Sequence, residues 1–345
     1  LSEAERPLML AGPAAGRGTG AEHLRRLAGE SRTPVVYMES PRGIGDPSLG
    51  AFAEVLPQAD LLLLLGKKVD FSLGLGRPPA LGEGSRILQV DAEAAVLGQT
   101  RRAAEQPRLE LAALGDPQAT ARRVAELAGE RAWPDRDWYD EVRDAVAYRP
   151  PAWEELQSPG DGPLHPVEVG RAVQDVLTPS DSVLVSDGGE FGQWAQACVS
   201  ASHRVINGPS GAIGSAIPFA LAARLAYPDS PVVAMLGDGT FGFHALEFDT
   251  AVRYGLPMVA VVGNDAAWNA EYQIQLRQYG EARLVGCELL PSRYDEVVRA
   301  LGGHGEHVSR ASELAPALQR ALASGLPACV NVDLQRNPAP AVRRG

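Results

Sequence analysis

Lysine is nearly missing from this chain. Lys67 and Lys68 are the only two, arginine carries almost all the positive charge, and no basic run marks an arm or tail. With a net charge of −11, that pattern argues against a general nucleic-acid binder or a protein held on anionic membrane. Cysteine is scarce as well: Cys198, Cys287 and Cys329 lie far apart and form no Cys-x-x-Cys pair. A structural zinc site is therefore not expected, and a reduced, cytoplasmic setting is. Long apolar runs are absent too. The longest, from Ala59 to Gly66, is interrupted by Asp60 and is too short to span a bilayer. No signal peptide opens the chain. It starts at Leu1 rather than Met and enters a strand-like segment almost at once, so it reads as a fragment of something longer.

At 345 residues, with 45% hydrophobic and 22% charged residues, the chain has the composition of a soluble globular protein. Its length suffices for two domains, each with its own core. Strand–helix alternation runs through both halves and predicts an α/β fold of two domains, each a parallel sheet flanked by helices. In the first half, strands are expected at Pro7 to Gly12, Val35 to Tyr37, Leu61 to Leu65 and Arg86 to Val90, with a helix over Ala21 to Gly29. In the second, a helix opens at Pro166, and strands follow at Ser182 to Ser186, Val232 to Leu236, Met258 to Val262 and Ala328 to Val332. Proline-rich sequence between the halves, with one short helix at Trp138 to Ala147, reads as a linker. The expected division is a first domain at 1–128, a linker at 129–165, a second domain at 166–335 and a tail at 336–345.

Two strand ends carry the chemistry. The apolar run Val232 to Leu236 stops at Gly237-Asp238-Gly239-Thr240, and a helical stretch covers His244 to Tyr254. The next run, Met258 to Val262, stops at Gly263-Asn264-Asp265. Asp238 and Asp265 are 27 positions apart, room for one strand–helix–strand crossover. In a parallel sheet both therefore sit at the carboxyl edge, where α/β proteins bind ligands. Two oxygen donors among glycines that expose backbone N–H groups suit a hard cation bridged to a diphosphate. Taken separately, Gly-Asp-Gly also suits a plain turn, and Asp265 a helix cap.

Gly-Asp-Gly, a spacer of this length and a polar pair resemble the signature of thiamine diphosphate (ThDP) enzymes. The chain resembles the acetolactate synthase-like branch of the ThDP-dependent 2-oxoacid decarboxylases and carboligases. The resemblance implies a nucleotide-binding-like central domain followed by a diphosphate-binding domain. It also implies Mg2+ held by Asp238, Asp265 and the carbonyl of Ala267, with diphosphate oxygens and water completing the shell. Gly237, Gly239 and Thr240 would meet the diphosphate at a helix start, and Trp268 and Asn269 would contribute from the second loop. Asp265 departs from the family, whose commoner residue there is Asn. A carboxylate adds negative charge beside a diphosphate, yet it is the stronger Mg2+ ligand.

Two further segments match the family by position. Val185-Ser186-Asp187-Gly188-Gly189-Glu190-Phe191 would bring Gly189, Glu190 and Phe191 to the diphosphate, although these residues also suit an ordinary strand-to-helix turn. Gly208-Pro209-Ser210-Gly211-Ala212-Ile213-Gly214 matches the segment beneath the cofactor. There Ile213 would wedge between the two rings and enforce a bent shape. The Gly211 carbonyl would accept from the 4′-amino group, and the Ile213 N–H would donate to the neighbouring ring nitrogen. Without the family, Ile213 is simply a core residue before a helix. His203 and His244 lie near these segments without an assigned role, while Trp194, Trp268 and Asn269 suit either a substrate mouth or packing. Gly12, Gly16, Gly18 and Gly20 do not form the dinucleotide fingerprint. Some family members hold FAD or ADP in the central domain, and neither is expected here.

The resemblance covers nearly all of the chain but not the family's pyrimidine-binding domain, which carries the activating glutamate. No catalytic residue is therefore assignable. The implied state is a half-site, completed by upstream sequence or a companion chain within a homodimer or homotetramer. The expected function is a ThDP- and Mg2+-dependent enzyme acting on a small-molecule 2-oxoacid by decarboxylation or carboligation, with this chain inactive alone. Benzaldehyde lyase or acyl-CoA lyase chemistry is the alternative within the family. Outside it stand a non-catalytic binding or assembly module of the same fold and an unrelated Mg2+-dependent nucleotide binder.

Overall fold

The computed structural model describes residues 1–103, 108–177, 181–207 and 210–344. They form two compact units, Leu1–Arg149 with Val342–Gly345, and Pro150–Ala341. Both are α/β, with a parallel sheet flanked by helices.

The first unit holds β1 (Pro7–Ala11), β2 (Val35–Tyr37), β3 (Leu61–Leu65), β4 (Arg86–Asp91) and β5 (Leu109–Leu114), in the order β2-β1-β3-β4-β5. Side-chain alternation sends Leu8, Leu10, Leu62 and Leu64 into one core and Met9, Ala11, Leu63 and Leu65 into the other. Strands buried on both faces read as unbroken apolar runs, which is why these were visible in the sequence. Past β1, a Cβ on Gly12 would lie 1.9 Å from the Gly66 carbonyl oxygen. Only bare backbone lets the ends of β1 and β3 approach that closely. The helix Asp137–Ala147, read from sequence as part of a linker, buries Trp138, Val142 and Ala145 in this unit's core. The Trp138 indole donates to the Pro7 carbonyl at 2.9 Å.

The second unit holds β6 (Val183–Ser186), β7 (His203–Ile206), β8 (Val232–Gly237), β9 (Val259–Asn264), β10 (His304–Val308) and β11 (Ala328–Asp333). Their order is β10-β11-β9-β8-β6-β7, parallel throughout. Leu184, Val233, Met235, Val261 and Val330 face one core, and Val185, Ala234, Leu236, Ala260 and Val262 face the other. The chain steps outward from β6 to β7, then returns past β6 to β8 and continues to β9. In open parallel sheets ligands bind at the carboxyl edge where the order reverses. That reversal lies between β6 and β8.

Strands β5, β7 and β10, not expected from sequence, are all edge strands. The single helix expected over His244 to Tyr254 is two, Asp238–His244 and Glu247–Tyr254, the first starting directly at Asp238. Among the described residues no helix is long and apolar enough to cross a membrane.

Candidate cofactor site

β6, β8 and β9 are neighbours in the sheet, and each ends at polar side chains: Asp187, Asp238, and Asn264 with Asp265. Gly237 pairs with Gly263, so Asp238 and Asn264 leave the sheet level with each other, while Ser186 pairs with Met235 and β6 stops two residues lower. Asp238 is 2% exposed. Its Oδ1 accepts the Gly239 N–H at 2.9 Å, and its Oδ2 accepts the Ala267 N–H at 3.2 Å, so the β8 carboxylate is fastened to the turn after β9. Burial pushes the Asp238 carboxyl up to about 6. Asp265 keeps part of its surface open. Burial first, and then the charge of Asp238, push its carboxyl up to about 7, against the pull of Arg336 and a hydrogen bond from Asn269.

Two buried carboxylates, one of them raised by the charge of the other, ionise together most readily around a cation. Among the described residues, no three His, Cys, Asp or Glu converge on a common point. A cation here would take its remaining ligands from carbonyl, anion or water oxygens, which is the habit of Mg2+. The donor set therefore fits a hard divalent cation.

The turn that follows Asp265 is held tightly. Ala266 has φ +53, in the left-handed region. Its N–H donates to Asn264 Oδ1 at 3.3 Å, and its carbonyl accepts the Leu289 N–H at 2.8 Å. The Trp268 N–H donates to the Cys287 carbonyl at 2.8 Å. The amides of Trp268 and Gly239, expected to face an anion, are thus engaged within the protein. What Trp268 offers instead is its ring, which covers Gly239 so closely that a Cβ there would sit 2.7 Å from it. The ring also meets Phe243 edge-on, with centroids 6.1 Å apart. Asn269 donates to the Asn337 carbonyl at 2.9 Å and accepts from Gln273 at 3.0 Å. Gly237 caps the helix Asp238–His244, and Thr240 is buried within it.

At the end of β6, the fully buried Asp187 carboxylate accepts N–H groups from Gly188 at 2.7 Å, Gly214 at 3.0 Å and Ala216 at 2.9 Å. Burial raises its pKa, while these three bonds and His244 pull it down. One side chain thereby sets the loop that carries Ile213. Ile213 rests on bare backbone, since a Cβ on Gly188 would come 2.6 Å from its Cγ2. Asn207 Nδ2 donates to the Ala212 carbonyl at 3.3 Å. His244 Nδ1 lies 2.6 Å from the Gly214 carbonyl, which can only accept, so that nitrogen carries the proton. Gly208 and Pro209 of this segment lie outside the described residues.

The fold therefore brings Asp238, Asp265, Ala267, Gly239 and the Trp268 ring to one place, and Ile213 to Gly188. The other expected residues have these surroundings. Gly189, at φ +79, opens the helix Gly189–Cys198. Glu190 accepts from Gln193 at 2.8 Å, and the Phe191 ring is core, packed on Gly263. Gly211 is exposed at φ +71. Trp194 packs against Trp153 and His165 and donates to the Pro338 carbonyl. His203 stacks on Tyr227 at 4.1 Å beside edge strand β7. Sequence reasoning missed the Asp187 carboxylate, whose signal was an acid placed directly after the short run Val183-Leu184-Val185-Ser186. It also missed Arg336, which had been assigned to a tail.

Residues 187–332 match the thiamine pyrophosphate enzyme C-terminal TPP binding domain, and residues 1–124 match the thiamine pyrophosphate enzyme central domain. The chain belongs to the thiamine pyrophosphate enzyme family. Thiamine pyrophosphate (TPP) is ThDP under another name, and the matched TPP binding domain includes Asp187, Ile213, Asp238 and Asp265. Within the family, the chain is similar to a probable acetolactate synthase of Mycobacterium bovis, 38% identical over 96% of this chain and 60% of that protein. It is also similar to 2-hydroxyacyl-CoA lyase 1 of Mus musculus, 30% identical over 93% of this chain and 58% of that one. A third relative is 2-hydroxyacyl-CoA lyase 2 of Homo sapiens, 31% identical over 91% and 50% respectively. The chain thus spans only half to three-fifths of the length of these relatives.

Proposed function

We propose that this chain is the central and diphosphate-binding part of a ThDP- and Mg2+-dependent enzyme that acts on a 2-oxoacid in an acetolactate synthase-like reaction. The observation that carries the reading is the buried Asp238 carboxylate, fastened at 3.2 Å by the Ala267 N–H to the turn that carries the half-buried Asp265, at the carboxyl edge of β8 and β9. In this reading 1–128 is the central domain and 166–335 the diphosphate-binding domain. Asp238, Asp265 and the Ala267 carbonyl hold the cation. Gly237, Gly239, Thr240 and Asn269 line the diphosphate, together with the backbone of Gly189, Glu190 and Phe191 at the end of β6. Trp268 and Phe243 cover the site and keep water out.

When bound, ThDP supplies the electron sink that lets a 2-oxoacid lose CO2. The chain's own task is to anchor and shape. Ile213, seated on Gly188 and held by the Asp187 network, supports the bent cofactor from below, and Gly211 adds a carbonyl at the pyrimidine. The activating glutamate comes from upstream sequence or a companion chain in a homodimer or homotetramer, so this chain alone is inactive. Cys287 and Cys329, both buried thiols, accord with a reducing, cytoplasmic setting.

Calorimetric titration of the chain with ThDP, in Mg2+ and then in EDTA, tests this directly. Binding in Mg2+ that vanishes in EDTA and in Asp238→Ala is expected. Normal binding by that variant would sink the proposal. The similarity to two 2-hydroxyacyl-CoA lyases favours a second reading, C–C lyase chemistry on an acyl-CoA. Turnover of a 2-oxoacid against that of a 2-hydroxyacyl-CoA by the completed enzyme decides between the two.

A further inference from the structure

The segment after β11 is hydrogen-bonded at every step, partly to the residues that carry the candidate cation site. The Leu334 N–H donates to the Asn264 carbonyl and the Gln335 N–H to the Leu164 carbonyl, each at 2.9 Å. The Arg336 carbonyl accepts from Gln273 at 3.3 Å, and those of Asn337 and Pro338 accept from Asn269 and Trp194 at 2.9 Å. Five consecutive residues are thereby held as a strap against two helices, Gly189–Cys198 and Asn269–Tyr279.

From this strap the Arg336 side chain reaches back to the cation loop. Its Nε and Nη2 donate to the Asp265 carbonyl at 3.2 and 3.1 Å, and Nη2 also donates to the Ala266 carbonyl at 3.1 Å. The guanidinium stacks on Tyr272 at 4.7 Å, and Nη1 lies 3.7 Å from Glu288. The carbonyls it holds flank the residue that most needs holding. Ala266 is left-handed at φ +53, a conformation that a residue with a Cβ keeps only when its surroundings impose it. Released from that conformation, the turn would no longer present the Ala267 N–H to Asp238.

We infer that Arg336 is a positioning residue for the cation site, fixing the left-handed turn at Ala266 so that Asp265 and Ala267 stay beside Asp238. The inference rests on the cation reading proposed above. A planar guanidinium suits the task, because its rigid fork satisfies two successive carbonyls at once, whereas an ammonium is a single point. Its hydrogen bonds to the cation loop are to backbone oxygens, so it orders the loop without itself occupying the cation position.

The test is the affinity of the full chain for Mn2+ in the presence of ThDP, read by electron paramagnetic resonance, alongside the melting temperature in EDTA. Arg336→Ala should weaken Mn2+ binding by about ten- to a hundredfold, the usual effect of removing a group that orients metal ligands. Arg336→Lys should fall between that variant and the wild type. If the wild-type chain does not bind Mn2+, the cation reading falls, and the role of Arg336 with it. If it binds and Arg336→Ala binds equally well, only the Arg336 inference falls. A lower melting temperature in EDTA with unchanged Mn2+ affinity would make Arg336 a stabilising residue alone and also overturns the inference. Should Arg336→Ala fail to fold, wild-type affinity in Arg336→Lys overturns it, and about tenfold loss supports it.

Discussion

Replacing Asp265 by Asn should stabilise the metal-free protein, and the gain should grow with pH. The Asp265 carboxyl, ordinarily at 3.8, is pushed up to about 7 by burial and by the charge of Asp238. For an acid with a raised pKa the sign is fixed: the fold carries no penalty while the group is protonated in both states, below 3.8. The penalty accumulates as pH rises toward 7 and is complete above it. At about 1.4 kcal/mol per pH unit the whole shift corresponds to roughly 4 kcal/mol. Asp265 keeps part of its surface open, and solvent screening there leaves about 2 kcal/mol of that. Asn keeps the shape and one oxygen but removes the charge, so the melting temperature in EDTA at pH 8 should rise by about 4–8 °C for a domain of this size. At pH 5 the rise should be clearly smaller. Saturating Mg2+ with ThDP should narrow the difference at pH 8, because the cation then neutralises the pair. Melting curves by circular dichroism at the two pH values suffice. No gain at pH 8, or a gain of equal size at pH 5, would refute the electrostatic argument.

Three further outcomes are expected. Asp187→Ala leaves the N–H groups of Gly188, Gly214 and Ala216 without their acceptor and should cost about 3 kcal/mol in urea unfolding, with Asp187→Asn costing less; equal midpoints for wild type and Asp187→Ala would contradict this. Gly188→Ala forces a Cβ to within 2.6 Å of Ile213 Cγ2, so it should cost about 1–3 kcal/mol and weaken ThDP binding, which calorimetry would read. Gly12→Ala drives a Cβ to 1.9 Å from the Gly66 carbonyl oxygen, which is backbone and cannot swing aside, so the first unit should lose about 3 kcal/mol or more; limited proteolysis that leaves 1–149 as resistant as before would argue otherwise.

The strands buried on both faces were legible because such strands must be apolar at every position: Leu61–Leu65 and Val232–Gly237 could hardly be read otherwise. Edge strands β5, β7 and β10 were not. Leu109–Leu114 leaves Glu110, Leu111 and Leu114 exposed, and His203–Ile206 and His304–Val308 mix polar residues into short runs. A strand with one neighbour and a wet face carries no such compositional demand.

The same division runs through the site. By itself the sequence determined the parallel α/β class, the two ligand-bearing strand ends and the spacing that brings Asp238 and Asp265 to one edge. These follow from local periodicity and the length of a single crossover. Only the tertiary structure decided which groups remain to meet a ligand. It turned the Gly239 and Trp268 amides inward, put Asp187 under the Ile213 loop, and laid Arg336 on the carbonyl of Asp265, 71 positions away. A backbone donor or acceptor takes whatever partner the packed chain brings within about 3 Å, and for loops meeting at a sheet edge those partners come from distant segments that no local pattern encodes.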